Sequence, residues 1–240
     1  MRMMINQVMK TSKIRSLAKV ILQTIRRFCL VDRRTIKRYL SQNNIRKLHT
    51  GCGSNILDGW LNSDYYPRST AILHLNATQS FPLGNNEFDY VFSEHMIEHL
   101  SYSQGFFMLS ECYRVLKKNG TIRISTPDLS FLIDLYKDNK SDLQKEYIKW
   151  VSDFCIKDAP YYDDTFVINN FVRSWGHQFI YDRKTLRLCL ERAGFTNVTE
   201  CTLNQSENDP LKNLENEKRM PEEFLNLETF VLEGKKLVNS

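Results

Sequence analysis

KLHTGCGSNILDGWLNSD, residues 47–64, decides the fold. It reads as a short strand, a glycine turn, a brief loop and a second short strand that closes on an acid. Gly51 and Gly53 allow positive φ in the turn and put no Cβ in the way of a ligand. Asp64, after Trp60 and Leu61, falls where a strand end presents a carboxylate to a sugar diol. Open α/β sheets bind ligands beyond the carboxyl ends of their strands. The stretch therefore predicts an adenosine-containing cofactor across this edge, and the neighbouring stretches decide which one.

Downstream, residues 71–78 read as a strand ending in the polar pair Asn76 and Thr78. Phe88 to Ser93 is an apolar run of the kind a buried parallel strand carries. Met96 to Leu116 repeats its apolar residues at helical spacing, and Lys117-Lys-Asn-Gly120 supplies cations and a glycine to end that helix. Thr121 to Thr126 is a strand stopped by Pro127. Strands alternating with helices imply a parallel sheet with helices on both faces. Helices are expected near 131–136, 143–154 and 184–193, the last stopped by Gly194. Residues 159–166, rich in aromatics and acids, read as a loop or lid. Residues 195–203 and 228–233 read as a closing antiparallel pair, with a long surface loop over 204–223.

The chain has 240 residues, 42% hydrophobic and 25% charged, which suits one soluble domain with an appendage. Six cysteines without a C-x-x-C, and no secretory signal, read as reduced thiols in a cytoplasmic protein. The net charge of +5 is uneven. Residues 1–47 hold 13 Lys and Arg against one acid, Asp32, and the remainder holds 20 against 27. Residues 12–30 form an amphipathic helical pattern. Charges break it too often for a membrane span or a signal peptide. It suits either an interfacial helix on anionic lipid or a helix packed on the domain. Few aromatics accompany it, and the region after residue 47 is acidic, so nucleic acid is not the expected partner. The division expected is a basic helical extension over 1–44 and a catalytic domain over 45–240, with 129–181 as a variable substrate or lid segment.

Five stretches in order carry a resemblance: LHTGCG (48–53), the strand ending in Asp64, FPLGNNEFDYVFSEHMIEHL (81–100), ECYRVLKKNGTIRISTPDL (111–129) and ERAGF (191–195). Together they resemble the class I S-adenosylmethionine-dependent methyltransferases, closest to the small bacterial branch often linked to surface polysaccharide biosynthesis. The resemblance implies an α/β, Rossmann-like, three-layer αβα fold with seven mostly parallel strands, the last antiparallel. It implies S-adenosyl-L-methionine as cofactor. Gly51, Cys52 and Gly53 would let the methionine and ribose portions approach the backbone. Asp64 would hold the ribose hydroxyls, Asn76 and Ala77 would lie beside the adenine, and Ser93 and Glu94 would face the methionine end. A sulfonium donor without phosphates needs carboxylates and backbone groups, and the chain has no G-x-x-x-x-G-K. Three features depart from the family pattern: His49 two residues before Gly51, Asn76 where Asp is common, and only eleven residues from Gly53 to Asp64. That spacing leaves the first helix short or absent.

His95-Met-Ile-Glu98-His99 has the H-x-x-E-H spacing of inverted zinc peptidases. It opens directly from a buried strand in methyltransferase order, which favours the transferase over a zinc hydrolase. Some RNA and quinone methyltransferases carry a related E-x-x-E-H that binds a divalent ion. Here His95 takes the first position, and no metal ligand is assigned. A hydroxyl acceptor must lose a proton, and a histidine can take it. His95 is the first candidate. His99, one helical turn on, serves equally well as a buried structural residue, and His177 in Ser-Trp-Gly-His-Gln-Phe is a contact from the lid side. The expected reaction is O- or N-methylation of a small-molecule or lipid-linked glycan acceptor, at the inner face of the membrane if the N-terminal helix docks there. The rival is a non-catalytic methyltransferase-like assembly protein.

Overall fold

The computed structural model describes residues 30–156 and 158–237. Seven strands form one sheet: β1 (Lys47–Thr50), β2 (Leu61–Asp64), β3 (Leu73–His74), β4 (Phe88–Glu94), β5 (Leu116–Pro127), β6 (Thr196–Cys201) and β7 (Thr229–Lys235). Their order is β3-β2-β1-β4-β5-β7-β6. Strands β1 to β5 pair in parallel, and β7 lies antiparallel between β5 and β6. The sheet has the Rossmann-like, mostly parallel arrangement that the resemblance implies, with the antiparallel last strand in place. Its centre is apolar on both faces: Val91, Phe92, Ile122 and Ile124 are fully buried. A parallel strand covered by helices on both sides needs that composition.

No helix separates β1 from β2, as the eleven-residue spacing requires; turns fill residues 51–60. Helix α1 (Val31–Gln42) packs onto the sheet instead. Its Tyr39 hydroxyl donates to the Lys47 carbonyl at 2.9 Å, and Thr35 donates to the Thr70 carbonyl at 3.0 Å. Of the amphipathic pattern over 12–30, all but residue 30 lies outside the described residues. Among those described, no helix is long and apolar enough to cross a membrane.

Helix α2 (Tyr102–Val115) starts later than its periodicity suggests. Ser101 and Gln104 form a reciprocal capping box that sets the start, and residues 97–99 make a separate 3-10 turn. The expected stop at Lys117 to Gly120 is also corrected. The helix passes straight into β5 at Leu116, and the left-handed residue is Asn119, at φ +63°, not Gly120. Lys117 turns aside to pair with Asp89 at 2.8 Å.

Helices α3 (Leu129–Leu135), α4 (Asp142–Cys155) and α5 (Asp164–Arg173) fill the variable segment. They share a core of their own, built on Phe131, Leu135, Tyr147, Val151, Val167 and Phe171, with Phe224 packed in from α7 (Glu222–Glu228). The acidic stretch read as a lid thus runs into α5, whose N-cap is Asp163. Helix α6 (Arg183–Arg192) ends at Gly194, at φ +106°, as its sequence predicts. The stretch from 204 to 223 is less of a surface loop than expected. Leu211 and Leu214 are buried beside Trp60 and Phe92. Arg123, itself fully buried in β5, holds Glu215 and Glu233 at 2.7 Å each.

Candidate functional site

Strands β1, β2 and β4 bring their carboxyl ends together around the glycine turn. Gly51 turns at φ +70° and Gly53 at φ +51°. A Cβ on Gly51 would stand 2.3 Å from Met96 Cγ, so the turn and the segment after β4 meet only because no side chain intervenes. A Cβ on Gly53 would meet open space. Asp64 fixes the turn: Gly53 N donates to its Oδ2 at 2.9 Å and Tyr66 N to its Oδ1 at 2.7 Å. Each oxygen keeps a further lone pair for a ligand's hydroxyl.

A cleft of about 590 Å³ opens here, within the range of small-molecule sites. Gly51, Asp64, Tyr65 and Tyr66 line it from the β1 and β2 ends, and Leu75 to Thr78 from the loop after β3. His95, Met96, His99 and Leu100 line it from the turn after β4, joined by Gln104 and Gln178. Asn76 Oδ1 accepts from the Thr78 amide at 2.9 Å and hydroxyl at 2.8 Å, which holds that loop in shape. Among the described residues no Lys or Arg lines the cleft. A cation-free cleft with an acid at its edge and apolar side chains beside it fits a sulfonium-bearing nucleoside that has no phosphate.

Of the residues expected at the cofactor, Gly51, Asp64, Asn76 and Ala77 line this cleft. Cys52 is a buried thiol beside the turn, and Gly53 contributes only its backbone to Asp64. Ser93 is fully buried within β4. Glu94 turns elsewhere: its carboxylate accepts from Asn55 Nδ2 at 3.0 Å and from Asn216 N at 2.7 Å, with Arg219 at 4.0 Å. The Tyr65–Tyr66 pair, Gln104 and Gln178 had no motif to mark them. Tyr65 and Tyr66 follow the strand acid directly, and Gln178 follows His177, so adjacency was the available signal.

The histidines do not share a helical face. His95 sits outside the 3-10 turn at φ +43°, a left-handed conformation uncommon for a residue other than glycine. Its Nε2 is 2.9 Å from Thr229 Oγ1, and its Nδ1 is 3.6 Å from Glu98 Oε1. Glu98 is fully buried. Its Oε2 accepts from Thr126 at 3.2 Å, whereas Oε1 has no hydrogen-bond partner among the described residues. His99 Nε2 lies 3.9 Å from that Oε1, and the His99 side chain is 38% exposed against 1% for Glu98. His177 arrives from the turn after α5. Its Nδ1 meets the Phe171 carbonyl at 2.7 Å, and its ring centroid is 5.0 Å from that of His99. The fold thus joins two segments nearly eighty residues apart.

Burial sets the protonation of this group. It pushes the Glu98 carboxyl up to about 8 and holds His95 well below the usual imidazole range. His99 and His177 are lowered too, first by burial, with the Arg219 charge acting in the same direction. Burial thus favours the uncharged form of all four groups.

Residues 61–124, from β2 into β5, match a family model described as a methyltransferase domain. No curated protein matches the chain. Among solved structures, a SAM-dependent methyltransferase of Thermotoga maritima, titled a possible histamine N-methyltransferase, shares 18% identity over 91% of this chain and 97% of its own, with a TM-score of 0.44. A SAM-dependent methyltransferase of Archaeoglobus fulgidus shares 19% over 90% and 99%, with a TM-score of 0.46. One from Mesorhizobium loti shares 12% over 80% and 90%, with a TM-score of 0.48. The match runs through the acid of β2 and the histidines after β4, and the cleft beside it suits an adenosine-bearing sulfonium: over residues 61–124 the chain resembles a methyltransferase domain.

Proposed function

We propose that the enzyme methylates a hydroxyl of a saccharide or lipid-linked glycan. The observation that carries this reading is the uncharged, part-exposed imidazole of His99 in a cleft without cations. S-adenosylmethionine, when bound, supplies an activated methyl group on a sulfonium. The chain's own residues then have two tasks. Gly51, Asp64, Asn76 and Ala77 position the nucleoside, Asp64 with the lone pairs its turn leaves unused. His99 Nε2 takes the proton that a hydroxyl gives up as its oxygen is methylated. His95, with Nε2 on Thr229 and Nδ1 toward Glu98, orients the wall rather than meeting the acceptor.

Tyr65 and Tyr66 favour a saccharide. Both are exposed at the cleft and stand edge to face, offering aromatic surface to the C–H face of a sugar ring. The seven basic residues and no acid within 1–29 favour a lipid-linked acceptor at an anionic membrane face. A tritiated methyl donor, offered with sugar and lipid-linked glycan pools, tests the reading. Label should enter an alkali-stable ether on a glycan, and His99→Ala should suppress it. Transfer to an amine, or undiminished transfer by the variant, would overturn the hydroxyl assignment.

A further inference from the structure

We infer that Glu98, His99 and His177 bind one divalent transition-metal ion beside the cleft. One donor atom of each lies within 4.8 Å of the others. Two imidazoles and one carboxylate are the set that holds zinc in His₂Glu sites and ferrous iron in facial triads. Magnesium and calcium ask for more oxygen ligands than this group offers.

The supporting contacts prepare each donor. The bond from His177 Nδ1 to the Phe171 carbonyl makes Nδ1 the protonated nitrogen and leaves Nε2 a lone pair, the usual support of a metal-bound histidine. Thr126 holds Glu98 Oε2 and leaves Oε1 buried, unpartnered and 3.9 Å from His99 Nε2. That oxygen has no hydrogen bond among the described residues, and a cation that replaces the carboxyl proton would satisfy it. Donors of a tetrahedral ion with bonds near 2.0–2.1 Å stand ~3.3 Å apart, so the side chains would close inward on the ion. Arg219, whose charge reaches all three residues, has its own partner in Glu94 at 4.0 Å. His95, despite its place in the H-x-x-E-H spacing, is not among the three donors that lie within 4.8 Å of one another, and Thr229 ties down its Nε2. The third ligand comes from His177, which that spacing does not contain.

His99 lines the cleft, so the ion's remaining position faces it and would take water or the acceptor hydroxyl. That consequence rests on the methyl-transfer reading, whereas ion binding does not. An ion held there would take up the His99 Nε2 lone pair and would itself lower the pKa of a bound hydroxyl, so metal ligation and the general-base role of His99 are alternatives, the second belonging to the metal-free chain.

The test is titration of the full, chelator-stripped chain with cobalt(II), with S-adenosylhomocysteine binding measured on the same sample. One equivalent should bind, with visible bands of a low-coordinate nitrogen and oxygen site that zinc displaces. His99→Ala and His177→Ala should each weaken binding at least tenfold, and His95→Asn should not. The loaded wild type should show two paramagnetically shifted imidazole N–H signals, a readout that needs no variant. No stoichiometric cobalt on a chain that binds S-adenosylhomocysteine, or three shifted imidazoles, would overturn the site. Cobalt bound without S-adenosylhomocysteine would leave the site standing and count against the methyl-transfer reading instead.

Discussion

His95 and His99 differ because the backbone between them is a 3-10 turn, not the first turn of a helix. That ties His95 to Thr229 and leaves His99 the more exposed of the two at the cleft. Replacing His99 with alanine should lower methyl transfer by ~10²–10⁴, the usual share of general acid–base catalysis, while S-adenosylhomocysteine affinity measured by calorimetry stays within about twofold. A loss of both together would show that the residue serves the cofactor. Asp64 has two duties, to its own turn and to a ligand. Asp64→Ala should weaken S-adenosylhomocysteine by ~1.4 kcal/mol or more, tenfold. Unchanged affinity in a folded variant would confine the carboxylate to the turn. The strand acid and the glycines were legible because turn chemistry and strand ends act over a few residues. Glu98's burial and the company of His177 were not, because each depends on segments distant in sequence.

At the scale of elements, the boundaries that went astray have local causes. The capping box at Ser101 and Gln104 outweighs the apolar period that runs on from Met96, and β5 begins inside what looked like a helix stop because Lys117 has a partner in Asp89. The strands themselves were readable from their apolar runs, and the missing first helix from a spacing too short to hold one. The 204–219 connection was unreadable because its order comes from Arg123. That guanidinium binds two buried carboxylates and the carbonyls of Thr202 and Gln205. Arg123→Met should cost about 3–5 kcal/mol by leaving buried acids unpaired. In a variant that still folds, limited proteolysis should cut first between 204 and 219. Cleavage elsewhere with this stretch intact would show that Leu211 and Leu214 hold it alone.

For the molecule as a whole, stability should depend on pH through groups with opposite signs. Burial lowers the His49 imidazole to about 4. As pH falls below the ordinary ~6.5, the unfolded chain takes a proton there that the folded chain refuses until near that lower value, so stability drops. Glu98 and Glu228 are raised to about 8 and about 7. Their contribution is complete at low pH and fades as pH climbs from the ordinary carboxylate range through those values. Between pH 7 and pH 5, His49→Leu should gain about 2 kcal/mol on the wild type in urea unfolding. Parallel curves would mean that the site relaxes to admit the charge. Removing residues 1–29, which spares α1 and its bonds to the sheet, should leave S-adenosylhomocysteine binding intact and abolish co-sedimentation with anionic vesicles. Equal sedimentation would place any membrane contact on the domain. The position of β7 has a consequence for synthesis. One edge of β5 is covered only by residues 229–235, and the Thr229 hydroxyl on His95 comes from the same strand. Translated at ~5–20 residues per second, a nascent chain would carry that open edge for roughly 5–20 s after Pro127 is made. During that interval ribosome-associated chaperones would have a strand to shield and no enzyme to release.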